Sequence, residues 1–278
     1  MNHRNITRSM TAILCAAGLA LTGAMGAQAA EPAAGGLPDH VVNGDFEYPG
    51  VDFLQGAKFA YVSTVEDTYF LRGGSSRIPL PASFDQEAFA WTSSQTTQAA
   101  HPDLERAGDV QVFRSETGNR FAELTAAQEG TAIYQDIATT PGTTLTWSLK
   151  HASLTDAHTD GMRVLIGAPG EETAQEATRT SVNGNGDALG PVGTLIETTA
   201  SRPTENGDGP LLEPEWESYE GTYLVPEGQT VTRLTFENTS GIDRYSGNLL
   251  DDITLQVGWP LDYQLNGGTG TIPNKEGE

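Results

Sequence analysis

The segment TTLTWSLKH, residues 143–151, limits the fold more than any other stretch. Leu145, Trp147, Leu149 and His151 fall on one face, and Thr144, Thr146, Ser148 and Lys150 on the other. A period of two is that of a half-buried β-strand, and the turn TTPGT introduces it. Similar runs follow the same rule: DVQVFR (109–114), RFAELT (120–125), TAIYQDIA (131–138), MRVLIG (162–167), YEGTYLV (219–225), TVTRLTFEN (230–238) and NLLDDITLQV (248–257). Turn-rich stretches such as VPEGQT separate them, and no helical period competes. The pattern predicts an all-β, antiparallel β-sandwich. A doubly wound sheet or an α/β barrel would need helices between the strands.

A chain of 278 residues with 32 Gly and 15 Pro suits one large sandwich punctuated by turns. Residues 1–29 read as an export signal. Arg4 and Arg8 form its positive start, MTAILCAAGLALTGAMGA its apolar middle, and AQA, ending at Ala29, its small-residue cleavage site. Leu14 stands before Cys15, the only cysteine, so a lipoprotein signal is not expected and the exported chain carries no thiol. A secreted domain without disulfides must be held by its core or by a metal. Residues 30–39 form a flexible lead, 40–257 the sandwich and 258–278 a polar flexible tail without a sorting motif. Two long stretches, 50–106 and 168–215, interrupt the strand pattern as loops.

The formal charge is −22, and without residues 1–29 it becomes −24, from 13 basic residues against 37 acidic ones. Nucleic acid is excluded as a partner, because no cluster of Lys and Arg is available to displace counterions. No membrane insertion is expected once the signal is removed. Acidity favours solubility outside the cell and provides oxygen ligands for a hard cation. HExxH, GxSxG and P-loop motifs are missing. NGNGD, residues 183–187, imitates the start of a calcium loop, but Ala188 replaces the required Gly and Thr194 the bidentate Glu. The reading is non-enzymatic, with a glycosidase kept as an alternative because two carboxylates suffice for that chemistry.

Aromatic rings cover the apolar faces of sugars while polar neighbours bind hydroxyls. Trp147 shares a face with Leu145 and Leu149 and is assigned to the core. Trp91, Trp216, Tyr219 and Tyr245 are less constrained and are the candidate ligand-binding aromatics. His151 is expected at the sandwich rim, hydrogen-bonded at a strand end, with Asp160 as a second polar candidate there. With His158 the pair makes no known short zinc pattern.

The strand NLLDDITLQV carries an anomaly. Period two places Leu249, Asp251, Ile253, Leu255 and Val257 on one face, so a carboxylate points with core side chains. An ionised carboxylate can be buried with a basic partner, with several hydrogen bonds or with a cation. At the other end, HVVNGDFE places Glu47 after Asn43 and Gly44. If the terminal strands are neighbours, Glu47 and Asp251 can share calcium with backbone carbonyls.

VVNGDFE, FAWTSS, GNRFAELTA, TAIYQDIATTPGTTLTWSLKHA, DGMRVLIGAP, WESYEGTYLVPEGQTVTRLTFEN and GNLLDDITL, in this order, resemble the galactose-binding-like jelly-roll domains of bacterial secreted and cell-surface proteins. These are related to calcium-containing carbohydrate-binding modules. The resemblance spans residues 40–257 and implies a jelly roll with a structural Ca2+ held by Glu47 and Asp251, with Asn43, Gly44 and Asp252 as further members. It implies an extracellular, adhesin-like role with a glycan or cell-surface component as partner. The alternative is an interaction domain of a surface assembly without a sugar site. Related domains often read HxGRxGxD after the tryptophan strand. Here HASLTDAHTD keeps His151 and Asp160 and lacks the Gly-Arg pair.

Overall fold

The alternation that starts at Thr144 is realised over ten residues, and the other expected strands form around it. In the computed structural model, residues 36–50, 52–124, 127–155, 159–182, 188–200, 210–240, 244–245 and 247–258 are described, all within the unit Pro32–Glu278. The expected export signal, the NGNGD loop, His158 and the tail from residue 259 lie outside the described residues. The strands are β1 (Phe59–Ser63), β2 (Thr68–Leu71), β3 (Ile78–Pro79), β4 (Thr92–Ser93), β5 (Val110–Arg114), β6 (Arg120–Glu123), β7 (Ala132–Ala138) and β8 (Thr144–Ser153). They continue as β9 (Asp160–Gly167), β10 (Thr173–Ala174), β11 (Ala177–Ser181), β12 (Gly190–Gly193), β13 (Ile196–Thr198), β14 (Glu217–Leu224), β15 (Val231–Ser240) and β16 (Asn248–Val257). One short helix, α1 (Gln86–Phe89), is capped by Asp85, whose carboxylate accepts from the Glu87 and Ala88 amides. Among the described residues no helix is long and apolar enough to cross a membrane.

Two antiparallel sheets face each other. The larger runs β12-β11-β14-β8-β16-β6-β5-β1-β2-β3, and the smaller runs β10-β9-β15-β7-β4, with β13 also on β9. The chain changes sheet at each step from β7 to β8 to β9, and again from β14 to β15 to β16. Such crossing gives the jelly-roll sandwich anticipated from the sequence. Its interior is closed by Ala60, Val62, Val112, Ala122, Trp147, Leu149, Tyr219 and Leu250 from the large sheet, and by Ile133, Ile137, Val164, Ile166, Leu234 and Phe236 from the small one.

Trp147 needs a glycine opposite it. Gly221 is its registered partner on β14, and a Cβ there would lie 2.4 Å from the Trp147 ring and 2.6 Å from the Glu176 carbonyl. The indole fills the space that the missing side chain leaves.

Three expectations are corrected. The stretch from 50 to 106 is not an uninterrupted loop: it contains β1 to β4 and α1. Residues 168–215 contain β10 to β13. The opening NGDFE is not a strand either. Asn43 (φ 53°) and Phe46 (φ 51°) adopt left-handed conformations in a turn closed by the Phe46 amide on the Asn43 carbonyl (3.2 Å). Asn tolerates this region, and its amide brackets the turn, accepting from the Tyr48 N–H and donating to the Tyr48 carbonyl, both at 2.8 Å. Phe46 is thereby driven into the core, stacked 5.3 Å from Trp91. The turn does lie against the last strand, as expected for terminal neighbours. The Ile253 amide donates to the Gly44 carbonyl at 2.9 Å.

Gly221→Ala is expected to lower stability by about 1–3 kcal/mol through overpacking against Trp147. Urea denaturation measures it. An unchanged midpoint would show that the indole has room to move.

Candidate functional site

Over β1, β2, β5 and β6 the face of the large sheet that looks away from the interior is also largely apolar. In β1, Ala60 and Val62 point inward, so Phe59 and Tyr61 point outward. In β5, Gln111 and Phe113 do the same opposite Val110 and Val112. Register aligns Phe70, Tyr61, Gln111, Glu123 and Leu249 side by side across five strands, with Phe59, Phe113 and Phe121 in the adjacent row. Exposed, such a row would be unstable in water. Leu211 and Trp216 cover its β16 side, joining Phe113, Phe121 and Leu249 in one cluster. Leu104 covers part of the β1 side.

The segment carrying Leu104 is fixed by charge. Arg77 makes a two-pronged pair with Asp109 (2.8 and 2.9 Å) and also donates to the Leu104 and Thr68 carbonyls and the Thr68 hydroxyl. Burial pushes the Asp109 carboxyl up to about 6 although Arg77 opposes the shift. Without the guanidinium this carboxylate would be an uncompensated buried charge.

Between these covers a cleft of about 560 Å³ remains open. Phe59, Tyr61, Phe70 and Phe113 form its floor, and Leu104, Glu105, His101, Leu154, Thr155 and Tyr245 its walls. Lys58 and Arg72 lie among its lining residues. Glu105 is buried and ion-paired with Arg244, and the Tyr245 hydroxyl donates to it at 3.4 Å. Burial, with the negative charges of Glu123, Glu105 and Asp109 nearby, raises the Tyr61 phenol far above its ordinary value, so its hydroxyl keeps its proton. Four rings, hydroxyls, an amide and charged groups thus converge on one concave surface.

Of the six candidate ligand-binding residues, Tyr245 alone lines this cleft, and it is 46% exposed. Trp216 is half-buried beside it on the same face, edge-on to Phe121 at 5.4 Å, its indole N–H donating to Glu213 at 3.0 Å. Trp91 and Tyr219 are fully buried in the core and do not reach the surface. Trp91 donates to the Asn43 carbonyl (2.8 Å), and the Tyr219 hydroxyl to Glu217 (2.7 Å). Tyr219 lies in β14, as the strand pattern from residue 219 anticipated, and alternation packs it on the inner face.

His151 and Asp160 are also wholly buried, at one end of the interior rather than at an accessible rim. The Asn248 amide donates to the Gly161 carbonyl (2.9 Å) and to Asn238 (2.8 Å), which fixes its oxygen as the acceptor facing His151 Nε2 at 2.6 Å. His151 therefore carries its proton on Nε2, and its buried Nδ1 has no hydrogen-bond partner among the described residues. Asp160 accepts from the Ser153 hydroxyl at 2.5 Å.

The calcium set implied by the resemblance has Asn43, Gly44, Glu47, Asp251 and Asp252 as members. Asp251 departs from the simple alternation. A bulge between Asp251 and Thr254, with Asp252 at φ 47°, resets the strand, so Asp251 stays with Leu249 on the outer face while Ile253 and Leu255 return to the core. Asp251 is 3% exposed, and its carboxylate accepts from Asn119 (3.0 Å) and the Asp252 amide (2.7 Å). Burial pushes it up to about 7. Asn119 also donates to Glu213 at 2.9 Å, so two carboxylates share one amide. Glu47 lies on the neighbouring residue, accepting from the Arg120 amide (3.1 Å) and pairing with its guanidinium. Asp252 pairs with Lys150 at 2.6 Å. Asp251 and Glu213 share the Asn119 amide, Glu213 also accepts from Trp216 and Thr117, and Asn43, Gly44, Glu47 and Asp252 each have other partners. Among the described residues no group of three or more His, Cys, Asp or Glu is placed to hold a metal ion.

The cleft floor escaped the sequence reading, which weighed tryptophans and loop tyrosines. Its signal was present in FAYVS and VQVFR, where aromatic or polar residues alternate with aliphatic ones. Both faces of such strands have something to bury or bind.

No protein-family model and no curated protein matches the chain. Solved structures similar to it include one described as "CBM4 structure and function", at 18% identity and a TM-score of 0.31 over 54% of this chain and 75% of that one. Another is the CBM22-1 xylan-binding domain of Paenibacillus barcinonensis Xyn10C, at 14% identity and 0.33 over 60% and 85%. A third is TmCBM27, a carbohydrate-binding module with specific mannan recognition, at 11% identity and 0.28 over 62% and 91%. Likeness at this level transfers no ligand.

Stability should depend on pH through His151, whose value burial depresses to about 4. The unfolded chain then binds the extra proton between about pH 6.5 and 4, so this contribution is complete above 6.5 and is lost as pH falls. The loss is on the order of 3 kcal/mol at about 1.4 kcal/mol per unit. Asp251 and Asp109, both raised, act oppositely: folding takes up their protons, so their contribution to stability falls as pH rises from about 4 towards 7. His151→Gln should flatten the acid limb of a stability–pH curve measured by urea denaturation. An acid limb as steep as that of the parent would remove His151 from the explanation.

Proposed function

We propose that this chain is an exported, non-enzymatic carbohydrate-binding domain, adhesin-like in role, whose glycan lies in the cleft of the large sheet. The observation that supports the reading is the cleft itself, with an aromatic floor of Phe59, Tyr61, Phe70 and Phe113 and polar walls at Glu105, Thr155 and Tyr245. Sugar rings present C–H faces that stack on aromatic carbon and hydroxyls that need hydrogen bonds. A preformed surface offering both, on strands rather than mobile loops, loses little conformational entropy on binding. Its volume suits a small ligand or a short stretch of a longer chain.

A structural calcium ion at the seam is proposed separately, with Asp251 as its main support: a buried carboxylate whose direct partners, Asn119 and the Asp252 amide, are neutral. Such an ion would offset the cost of burying the charge and tie β16 to the segments carrying Asn119 and Glu213.

On a glycan array the protein is expected to bind, and Tyr245→Ala should weaken binding about ten-fold, the value of one aromatic contact of about 1–1.5 kcal/mol. Tyr245 is exposed, so its removal leaves the core intact. Absence of any glycan binding would defeat the reading.

For the seam, millimolar calcium should raise the thermal midpoint above that in chelator, since an ion bound only by the folded state stabilises it by mass action. Asp251→Asn should abolish that response, and equal midpoints for the parent protein would rule the ion out.

A further inference from the structure

We infer that the cleft selects an N-acetylated amino sugar, whose acetamido group sits on the cleft floor. The inference rests on the glycan-binding reading of the same cleft and names the sugar class it takes. Two features of the floor carry it: an amide oxygen without a partner, and an apolar surround.

Gln111 lines the cleft from β5, on the outer face, in register with Tyr61 on one side and Glu123 on the other. It is 3% exposed, and its buried side-chain oxygen has no hydrogen-bond partner among the described residues. A buried acceptor left unpaired costs free energy, and natural proteins keep few of them. Whatever completes Gln111 from the cleft must bring a donor to the floor. A sugar hydroxyl and an amide N–H both meet that condition.

The surround separates the two. Tyr61, Phe70 and Phe113, which form the floor with Gln111, are 6%, 7% and 3% exposed, so they offer a sugar ring little face to stack on. Leu104 and Leu154 add apolar wall beside them. A hydroxyl carried down among these groups would satisfy Gln111 and leave its own remaining hydrogen-bonding capacity unmet. An acetamido group divides its atoms as the floor does. Its N–H donates to the Gln111 oxygen, its carbonyl can accept from the Gln111 NH2, and its methyl loses nothing by lying against ring and leucine carbon. The sugar ring itself stays nearer the mouth, where Phe59 is half-buried, Tyr245 is 46% exposed, and Thr155 and Tyr245 offer polar atoms to hydroxyls. The acetamido group is uncharged, so this selection does not depend on the balance of charge around the cleft.

The test pairs sugars that differ only in this substituent. The full chain is titrated calorimetrically with N-acetylchitotriose and cellotriose, and with N-acetylgalactosamine and galactose. At least one acetamido sugar is expected to bind about ten-fold more tightly than its hydroxyl counterpart, the gain from one hydrogen bond and one buried methyl. Gln111→Leu should remove most of that preference. Because it exchanges an unpaired buried amide for carbon, it should leave the thermal midpoint unchanged or higher. A preference that survives in Gln111→Leu, or a midpoint lowered by the change, would assign the amide to the fold and overturn the inference. Equal binding within both pairs, or tighter binding of the hydroxyl sugars, would overturn the acetamido selectivity and leave the glycan-binding reading standing. Binding of none of the four overturns the selectivity as well, and the glycan array then decides the broader reading separately.

Discussion

Phe59, Tyr61, Phe113 and Phe121 stand on the side of the large sheet that faces away from the sandwich interior, and the cost of leaving these rings in water governs how the rest of the chain is laid over them. Each aromatic side chain withdrawn from water is worth roughly 1.5–3 kcal/mol. The segment around Leu104 and the one from Leu211 to Trp216 supply most of that cover. Each is tied to the sheet by polar bonds: Arg77 holds Asp109 and the Leu104 carbonyl, and Leu211 bridges to Ser115 beyond the end of β5. The cleft is the portion of this face that the two covers do not reach. Its rings are therefore held in place by the sheet, with Phe59 half-buried and Tyr61, Phe70 and Phe113 buried beneath the cleft.

The inner face follows a different rule at one end. His151, Asn248, Asn238, Asp160 and Ser153 replace the aliphatic residues that fill the centre, and Glu217 with Tyr219 continues the polar region into β14. Buried polar groups need partners, and in exchange they fix register, since a slip by one residue would leave each of them unsatisfied. Asn248 joins β16 to both β8 and β15, so one amide holds the two sheets in a single alignment. Aliphatic packing alone would tolerate several alignments.

The sequence was most legible where alternation was undisturbed. β8, β9, β14 and β15 could be read from their own residues, and Trp147 was recognisable as core because its neighbours at i±2 are Leu. Legibility failed where a local event changed the parity. Asp251 looked like a core-facing residue because period two was carried through the whole strand, whereas the bulge at Asp252 turns Ile253 and Leu255 back inward. Tyr219 looked less constrained because it opened the strand pattern of YEGTYLV, whereas β14 begins two residues earlier, at Glu217, and packs it inward. The cleft was hidden for another reason: a strand buried on both faces shows an apolar run, and the run does not say which face is covered by the chain and which by a ligand.

Charge is distributed by the same economy of burial. In a chain so poor in basic residues, Arg77, Arg120, Arg179, Arg233 and Arg244 are placed against Asp109, Glu47, Glu217, Asp136 and Glu105. Three of these carboxylates, on Asp109, Glu217 and Glu105, are buried, and a guanidinium is the least costly way to keep such a group ionised because its charge is spread over a weakly hydrated plane. Asp251 is treated otherwise. Its direct partners are amides, the ammonium of Lys150 is bonded to Asp252 instead, and its carboxyl is accordingly pushed up to about 7. The seam between the opening turn and the last strand thus carries a carboxylate whose charge the protein's own cations do not directly neutralise, at the place where closure of the sandwich depends on β16 staying in position.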